Sequence, residues 1–378
     1  MKKKVFIFTC SRADYSPLQN VIKAFANSKK YITNIIVSGQ HLDLSSGNTI
    51  EEIKKNHKLK IIKIPSFIKS QKTLDISIVK SIIIKKISQI FERYSPDLLI
   101  LLGDRYELLP CATACIQFKI PIAHLHGGEI TKGSLDNIYR NAISKIANIH
   151  FVCHEKYKKN LIKLGERPDR IFNFGAPSIE NISDDIKKKY SKGKRIENQK
   201  KTFLVSYHPN TVYPNKTKEE IIQLMEALKF LKNYNFILSQ PNFDLNSHEI
   251  IDVIKKFKKC KNISIKKSLG KKDYFVALKN VNGIIGNSSS IILESSSFKL
   301  PALNIGNRQK GRILTKNISS CNFKKVEIIK NIEKISNQKF KKKLTNLKNP
   351  FYKKNNSKNI VNKISSLNLN KIFHEKLL

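Results

Sequence analysis

The 378-residue sequence has no run of the roughly 20 apolar residues that a membrane-spanning helix needs, so no membrane partner is expected. It has no C-x-x-C pair among its six cysteines, Cys10, Cys111, Cys115, Cys153, Cys260 and Cys321. That removes the usual zinc-ribbon and redox frameworks and leaves free thiols as the expectation. It has no G-x-x-x-x-G-K-[ST] loop and no internal repeat of solenoid period, which sets aside P-loop and repeat architectures. Acidic residues are scarce, 29 against 71 Lys and Arg, for a net charge of +42. Yet there is no arginine-rich run and no basic stripe interleaved with aromatics. The lysines are scattered among Ile and Asn, as in "SIVKSIIIKKISQI", where they line the solvent faces of helices. No nucleic-acid partner is therefore expected; the excess charge would steer a small anionic substrate toward the surface. The start, "MKKKVFIFTCSRADYS", is basic like a leader, but its apolar stretch is only Val5 to Thr9. It reads as a first β-strand, and the expectation is a cytoplasmic protein.

What is present is 40% hydrophobic residues, enough for packed cores, in a length that suits two domains. Short apolar runs alternate with helix-length periodic segments. Strands are expected at Lys4–Thr9, Asn34–Ser38, Asp97–Gly103, Pro121–Leu125 and Ile149–Cys153. Helices are expected at Pro17–Asn27, Ile76–Phe91, Glu107–Phe118 and Leu135–Ala147. The polar stretch from Asp184 to Lys201 interrupts the pattern. It resumes with strand ends near Thr202–Tyr207, Asn235–Gln240, Asn282–Asn287 and Pro301–Gly306. Such alternation predicts parallel sheets covered on both faces, an α/β fold of two Rossmann-like domains. The expected bounds are 1–183, 184–357 and a weakly helical tail, 358–378, returning to the first domain.

In open α/β sheets ligands bind beyond the carboxyl ends of the strands, so the residues there carry the functional reading. After the first strand stand Arg12 and Asp14; the planar fork of Arg suits a phosphate or diphosphate, and a surface ion pair is the plain alternative. After "DLLILLG" come Asp104, Arg105 and Glu107, with Asp104 a candidate acid, base or sugar-hydroxyl acceptor, or simply a helix cap. The next strand ends in "HLHGGEITKGSLDNIYR", where Gly127 and Gly128 let the backbone come close to a ligand. His126, Glu129 and Asp136 gather there with Asp104, a set suited to proton transfer to and from carbon. The plain reading is near-core histidines, His124 and His126, with a capping Asp136. The spacing H-x-H-x-x-E offers no further ligand in the sequence, so no metal is expected. In the second half His208 follows a strand. Further on, Asn287, Ser288, Ser289 and Ser290 open a helix carrying Glu294, with Arg308 and Arg312 after the next strand. Exposed backbone N–H groups at a helix start bind anions, and Glu294 could accept from ribose hydroxyls.

These motifs, "SRADYSPL", "SGQHLDL", "GDRYELL", "HLHGGEITKGSLDNIYRNAISK", "YHPNT" and "GNSSSIILESSSF…NIGNRQKGR", run in order from Val5 to Arg312. Together they resemble the hydrolysing UDP-N-acetylglucosamine 2-epimerases of sialic and legionaminic acid biosynthesis. The resemblance implies the glycosyltransferase-B arrangement with the active site in the interdomain cleft, a homodimer or homotetramer, and no metal or redox cofactor. It also implies a reaction. A base removes the sugar C2 proton, UDP leaves C1 in an anti elimination to a 2-acetamidoglucal, and water adds with a proton on the other face of C2. The products are N-acetylmannosamine and UDP. The alternative substrate is a UDP- or GDP-linked 2,4-diacetamido-bacillosamine, handled by the same chemistry. By resemblance Asp104 and Asp136 are catalytic carboxylates, and His208 acts at the diphosphate or the sugar. The position of His126 is a glutamate in animal members, which leaves the second acid–base role open between His126 and Glu129. Arg12, Gln40, Tyr274, Ser288, Ser289, Ser290, Glu294 and Arg308 match nucleotide-binding positions, Tyr274 by stacking on the base. Asn137, Asn141 and Ile291 depart from the family pattern.

Overall fold

The structure, a computed structural model, describes residues 1–43, 49–67, 73–180, 182, 200–241, 245–267 and 269–376. The chain divides into two compact units. The first comprises residues 1–129, 136–180 and 351–378; the second comprises 130–135 and 181–350.

The first unit is built on a seven-stranded sheet. Its strands are β1 (Lys3–Thr9), β2 (Tyr31–Ser38), β3 (Lys60–Ile64), β4 (Leu98–Leu102), β5 (Ile122–Leu125), β6 (Ile149–Val152) and β7 (Ile171–Asn173). They run parallel in the order β3-β2-β1-β4-β5-β6-β7. Side chains alternate faces along a strand, and β1 supplies both cores. Val5 and Ile7 join Leu18, Ile22 and Phe25 of the helix Arg12–Ala26 on one face. Phe6 and Phe8 join Ile83, Ile87 and Phe91 of the helix Thr73–Tyr94 on the other. All five residues of β4, "LLILL", are buried, as a central strand covered twice should be.

The second unit repeats the plan with six strands. These are β8 (Lys201–Ser206), β9 (Tyr234–Ser239), β10 (Ile263–Lys266), β11 (Gly283–Gly286), β12 (Ala302–Ile305) and β13 (Ile318–Cys321), in the order β10-β9-β8-β11-β12-β13. Counted from the first strand of each unit, both orders begin 3-2-1-4-5-6, the doubly wound dinucleotide-fold pattern. The α/β class and the paired Rossmann-like units expected from the sequence are therefore present. Residues Ile130–Leu135 count with this second unit. There Lys132 donates its backbone N–H to Lys310 O at 2.9 Å, and a Cβ on Gly133 would meet Asn307 O at 2.2 Å.

Two sequence readings shift. Residues 184–199 of the expected boundary lie outside the described residues, and Lys201 already belongs to β8. The return to the first unit begins at Phe351, ahead of the expected 358, because Phe351 is itself an anchor. It is fully buried, stacks on Tyr157 at 6.4 Å between centroids, and accepts from the Ala176 N–H at 2.8 Å. Asn356 then donates to Phe174 O and Gly175 O at 2.6 and 2.7 Å. The helix Asn356–Ser365 adds Ile360 and Ile364 to the first core. Glu375 pairs with Arg170, and Lys376 Nζ lies 2.7 Å from Glu166. Among the described residues no helix is long and apolar enough to cross a membrane. Truncating the anchor, Phe351→Ala, should cost about 3–5 kcal/mol. It should lower the midpoint of the first urea transition followed by far-UV circular dichroism; an unmoved midpoint would refute the anchoring role.

Candidate functional site

In the first unit the candidate residues stand at the carboxyl ends of β1, β2, β4 and β5. Gly103, with φ at +87°, ends β4 and turns the chain out of the sheet. Asp104 is not a helix cap, because the following helix begins only at Leu108, with Glu107 as its N-cap residue. Its carboxylate is instead held by the Arg140 guanidinium. Arg140 is almost fully buried, and its second arm donates to Glu129 O at 2.9 Å. One planar fork thus fixes the loop after β4 relative to the loop after β5. Arg105 does not join Asp104; it clamps Glu107 with two hydrogen bonds of 2.9 and 3.1 Å. Burial raises the pKa of Glu107, and the Arg105 charge opposes that rise.

His126 follows β5 with φ at +65°, a left-handed conformation unusual for a residue with a side chain. Its backbone N–H is tied to Phe151 O at 3.0 Å. Its ring Nδ1 lies 2.6 Å from Glu129 Oε1, and Cys153 Sγ donates to that same oxygen at 3.2 Å. All three side chains are buried. The glycines between them are needed, since a Cβ on Gly128 would meet Tyr157 O at 2.3 Å. Asp136, half-buried, opens the helix Asp136–Ile146 that also carries Arg140 one turn later.

The N-terminal loop is equally well fixed. Asp14 accepts the backbone N–H groups of Cys10 and Ser11 at 2.8 Å each, and the Ser11 hydroxyl as well. The helix cap therefore accounts for Asp14, not a surface ion pair with Arg12. Arg12 is the first residue of that helix and is half-buried. Burial lowers its pKa and the Glu52 carboxylate opposes the shift. Gln40 is buried in the 3-10 turn Gly39–Leu42 after β2.

In the second unit the sites follow β8, β11 and β12. Asn287 links the first two ends: its side chain accepts the His208 N–H at 2.7 Å and donates to His208 O at 2.8 Å. Gln309 donates to Asn287 O at 2.8 Å and so ties in the loop after β12. Gly286, with φ at +138°, has no room for a side chain; a Cβ would lie 1.9 Å from Ser206 O. Ser288 caps the next helix by accepting from the Ser290 N–H, with Ser289 exposed at the helix start. That helix is short, Ser289–Leu293, and Glu294 is its C-cap residue instead of lying in a longer helix as expected. Five residues carry little macrodipole, so an anion there would rely on exposed N–H groups and on Arg. The Tyr274 hydroxyl lies beside Ser290 and Glu294, and burial together with the Glu294 charge holds its proton on. Tyr274 thus has its polar end near Glu294, a proximity the sequence reading did not anticipate. Arg308 is half-buried and acts electrostatically on Tyr207, which donates to Glu220 at 2.9 Å.

The profile of the family described as UDP-N-acetylglucosamine 2-epimerase matches residues 23–365. The chain belongs to that family. It is a nucleotide-sugar 2-epimerase. A GDP/UDP-N,N'-diacetylbacillosamine 2-epimerase (hydrolyzing) of Campylobacter jejuni is 36% identical over 90% of this chain and 89% of that protein. A UDP-N,N'-diacetylbacillosamine 2-epimerase (hydrolyzing) of Legionella pneumophila is 33% identical, covering 84% and 85%. Among solved structures, a Neisseria meningitidis UDP-GlcNAc 2-epimerase bound to UDP-GlcNAc superposes with a TM-score of 0.82 at 17% identity. It covers 96% of this chain and 100% of the other, and at that identity it shows the shared glycosyltransferase-B-type fold.

Within the family frame the first unit brings Asp104, His126 and Glu129 together through Arg140, while the second gathers His208, Ser288, Ser290, Glu294 and Tyr274. Arg140 and Cys153 are the residues that the sequence reading passed over. One signal was available for Arg140. Of 71 basic residues only nine are arginine, and five of those, Arg12, Arg105, Arg140, Arg308 and Arg312, lie in the motifs. Where lysine is the default cation, an arginine marks a place that needs a planar fork. Cys153 had no such signal.

His124 is a supporting residue. It is fully buried, with Nε2 donating to Gly103 O at 2.7 Å and Nδ1 paired with Ser144 at 3.0 Å. Burial pulls its pKa from 6.5 to about 3, and those of His41 and His57 to about 4. A histidine depressed in this way stays neutral when folded but takes up a proton when unfolded below pH about 6.5. Its contribution is complete above that pH and is lost as pH falls toward the folded value. The urea midpoint should therefore drop between pH about 6.5 and about 4, and His124→Gln should flatten part of that slope. Equal slopes in wild type and variant would contradict the assignment.

Proposed function

We propose that this protein is a hydrolysing 2-epimerase that converts a nucleotide-linked 2-acetamido sugar and water into the free C2-epimeric sugar and the nucleoside diphosphate. The favoured sugar is N,N'-diacetylbacillosamine, because the Campylobacter and Legionella relatives that bear its name each cover more than four fifths of the chain. UDP-N-acetylglucosamine, the substrate first read from the motifs, is the second reading; it is the ligand in the Neisseria structure.

The observation that carries the chemistry is the His126–Glu129 pair. Nδ1 of His126 is engaged by Glu129, so Nε2 is the ring nitrogen left to exchange a proton with a substrate. Glu129 is 1% exposed and acts behind the histidine, fixing its tautomer. In this reading His126 is the proton-transferring group and Glu129 its positioning residue. Asp104 and Asp136 are the other acid–base groups. Arg140 holds the Asp104 carboxylate in place through its guanidinium.

The step sequence balances. One group takes the C2 proton as the C1–O bond to the diphosphate breaks, giving the 2-acetamidoglucal and the nucleoside diphosphate. Water then supplies hydroxyl to C1, and a second group delivers a proton to the opposite face of C2. Such proton transfers are typically worth about 10²–10⁴-fold each. The second unit holds the nucleotide: His208, Arg308 and the N–H groups at Ser288–Ser290 take the diphosphate, and Glu294 takes the ribose.

Incubation with each candidate nucleotide sugar in deuterated water, read by NMR, tests the proposal directly. The expected product is a free 2-epimer with deuterium at C2, formed fastest from the diacetamido sugar. Return of the intact epimeric nucleotide sugar would refute the hydrolytic reading. Asp104→Asn and Asp136→Asn should each lose about 100-fold or more in kcat with nucleotide affinity unchanged. Glu294→Ala should weaken calorimetric binding of the nucleoside diphosphate more than it changes kcat; unchanged affinity would remove Glu294 from the ribose role.

A further inference from the structure

We infer that His126, Glu129 and Cys153 form a binding site for a thiophilic divalent cation of the Zn²⁺ class, and that filling it reversibly blocks turnover. The inhibitory half rests on the proton-transfer reading of His126; the binding half stands on the cluster alone.

The fold adds Cys153 to a pair that is already close in sequence. His126 and Glu129 leave the end of β5, while Cys153 leaves the end of β6. The parallel register of these strands sets Leu125 against Phe151. His126 follows Leu125 directly and Cys153 lies two residues past Phe151, so both emerge at the same edge of the sheet. One ligand atom from each residue lies within 4.8 Å of those of the other two. All three side chains are buried, His126 being the most exposed at 7%. The donor set is imidazole, carboxylate and thiol, which selects a borderline metal over Mg²⁺ or Ca²⁺.

The distances fit a metal that replaces protons. Around tetrahedral zinc, donor atoms stand about 3.3–3.6 Å apart. Cys153 Sγ and Glu129 Oε1 are 3.2 Å apart, close to that spacing. His126 Nδ1 and Glu129 Oε1 are 2.6 Å apart, held by a shared proton. On binding, the metal takes the place of that proton, which moves to Nε2 of the same ring, and of the thiol proton, which is released, and the imidazole–carboxylate pair opens by a fraction of an ångström. Three protein ligands leave a fourth position for water. With Nδ1 bound to the metal and Nε2 carrying the displaced proton, the ring has no lone pair left to accept a proton from the substrate, and proton transfer at Nε2 stops.

Anaerobic Co²⁺ titration of the full-length chain, freed of metal with EDTA, tests the site without substrate. The expected result is a thiolate-to-cobalt charge-transfer band that saturates at one ion per chain and is displaced by Zn²⁺ but not by Mg²⁺. Cys153→Ser should abolish the band. His126→Asn, which keeps the thiol, should weaken binding by at least about tenfold, the typical effect of losing even an outer-shell partner. It decides the question should the serine variant fail to fold. Absence of the band, or its persistence in Cys153→Ser, would overturn the site. Zn²⁺ should abolish turnover in the same concentration range, with recovery in EDTA; full turnover at saturation would overturn the inhibitory role. A metal-free protein inactive on both nucleotide sugars would count against the proposed reaction while leaving the titration result intact.

Discussion

Everything at the candidate site depends on one constraint of the parallel sheet. In each unit the chain winds outward from a central strand, first in one direction and then in the other. The two connections that leave β1 and β4 therefore diverge and leave the strand ends uncovered, as do those that leave β8 and β11. Arg12 and Asp104 occupy the first of these openings, and His208 with Ser288 to Ser290 the second. Glycines with positive φ, Gly103 and Gly286, stand at the divergence, where the chain must leave the sheet abruptly. The local sequence supplies the side chains; the strand order makes residues far apart in sequence into neighbours.

Loops at such openings would be mobile if solvated, and here they are pinned by buried polar groups. Asp14 closes the first turn, Arg105 and Glu107 hold the start of the third, and Arg140 reaches between the loops after β4 and β5. In the second unit Asn287 serves as a backbone mimic, pairing with both polar groups of His208 while Gln309 braces it. A buried charge stripped of its partner is costly, so each pair resists separation more strongly than an exposed pair would. This explains how arginine persists at these points in a chain whose cations are otherwise lysine. An ammonium could match the charge of Arg140 but not its simultaneous contacts with Asp104 and the Glu129 carbonyl.

The inner strands were legible because each is covered on both faces and therefore nearly continuous in apolar residues. The four strands that went unread, β3, β7, β10 and β13, are the four sheet edges. "KIIKI", "IFN", "ISIK" and "ISSC" are short, and two carry lysine, as edge strands do when they must not pair further. Their identity is set by neighbours, which a single sequence does not display. The site divides in the same way. His126 and Glu129 are three residues apart and were read together. Cys153 and Arg140 reach them through strand register and helix packing, and only the structure brings them in. Glu294 was recognised but misplaced, since the helix after Ser288 ends before reaching it.

The substitution at position 126 gains a physical account from this arrangement. The resemblance sets a glutamate there in animal members, a single negative charge at the proton-transferring position. On the proposed reading, His126 backed by an ionised Glu129 carries the same net charge as that single carboxylate. The charge, however, sits on Glu129, three residues on, behind an imidazole that faces the substrate. A departing diphosphate is then spared a carboxylate at close range, while the carboxylate behind the ring fixes its tautomer. The arrangement requires that Glu129 be buried, that it touch Nδ1, and that the backbone at His126 take the left-handed turn presenting the ring to it. All three conditions hold. The same compactness adds Cys153 to the pair, so a group arranged to share one proton also has the donor chemistry to capture a soft cation.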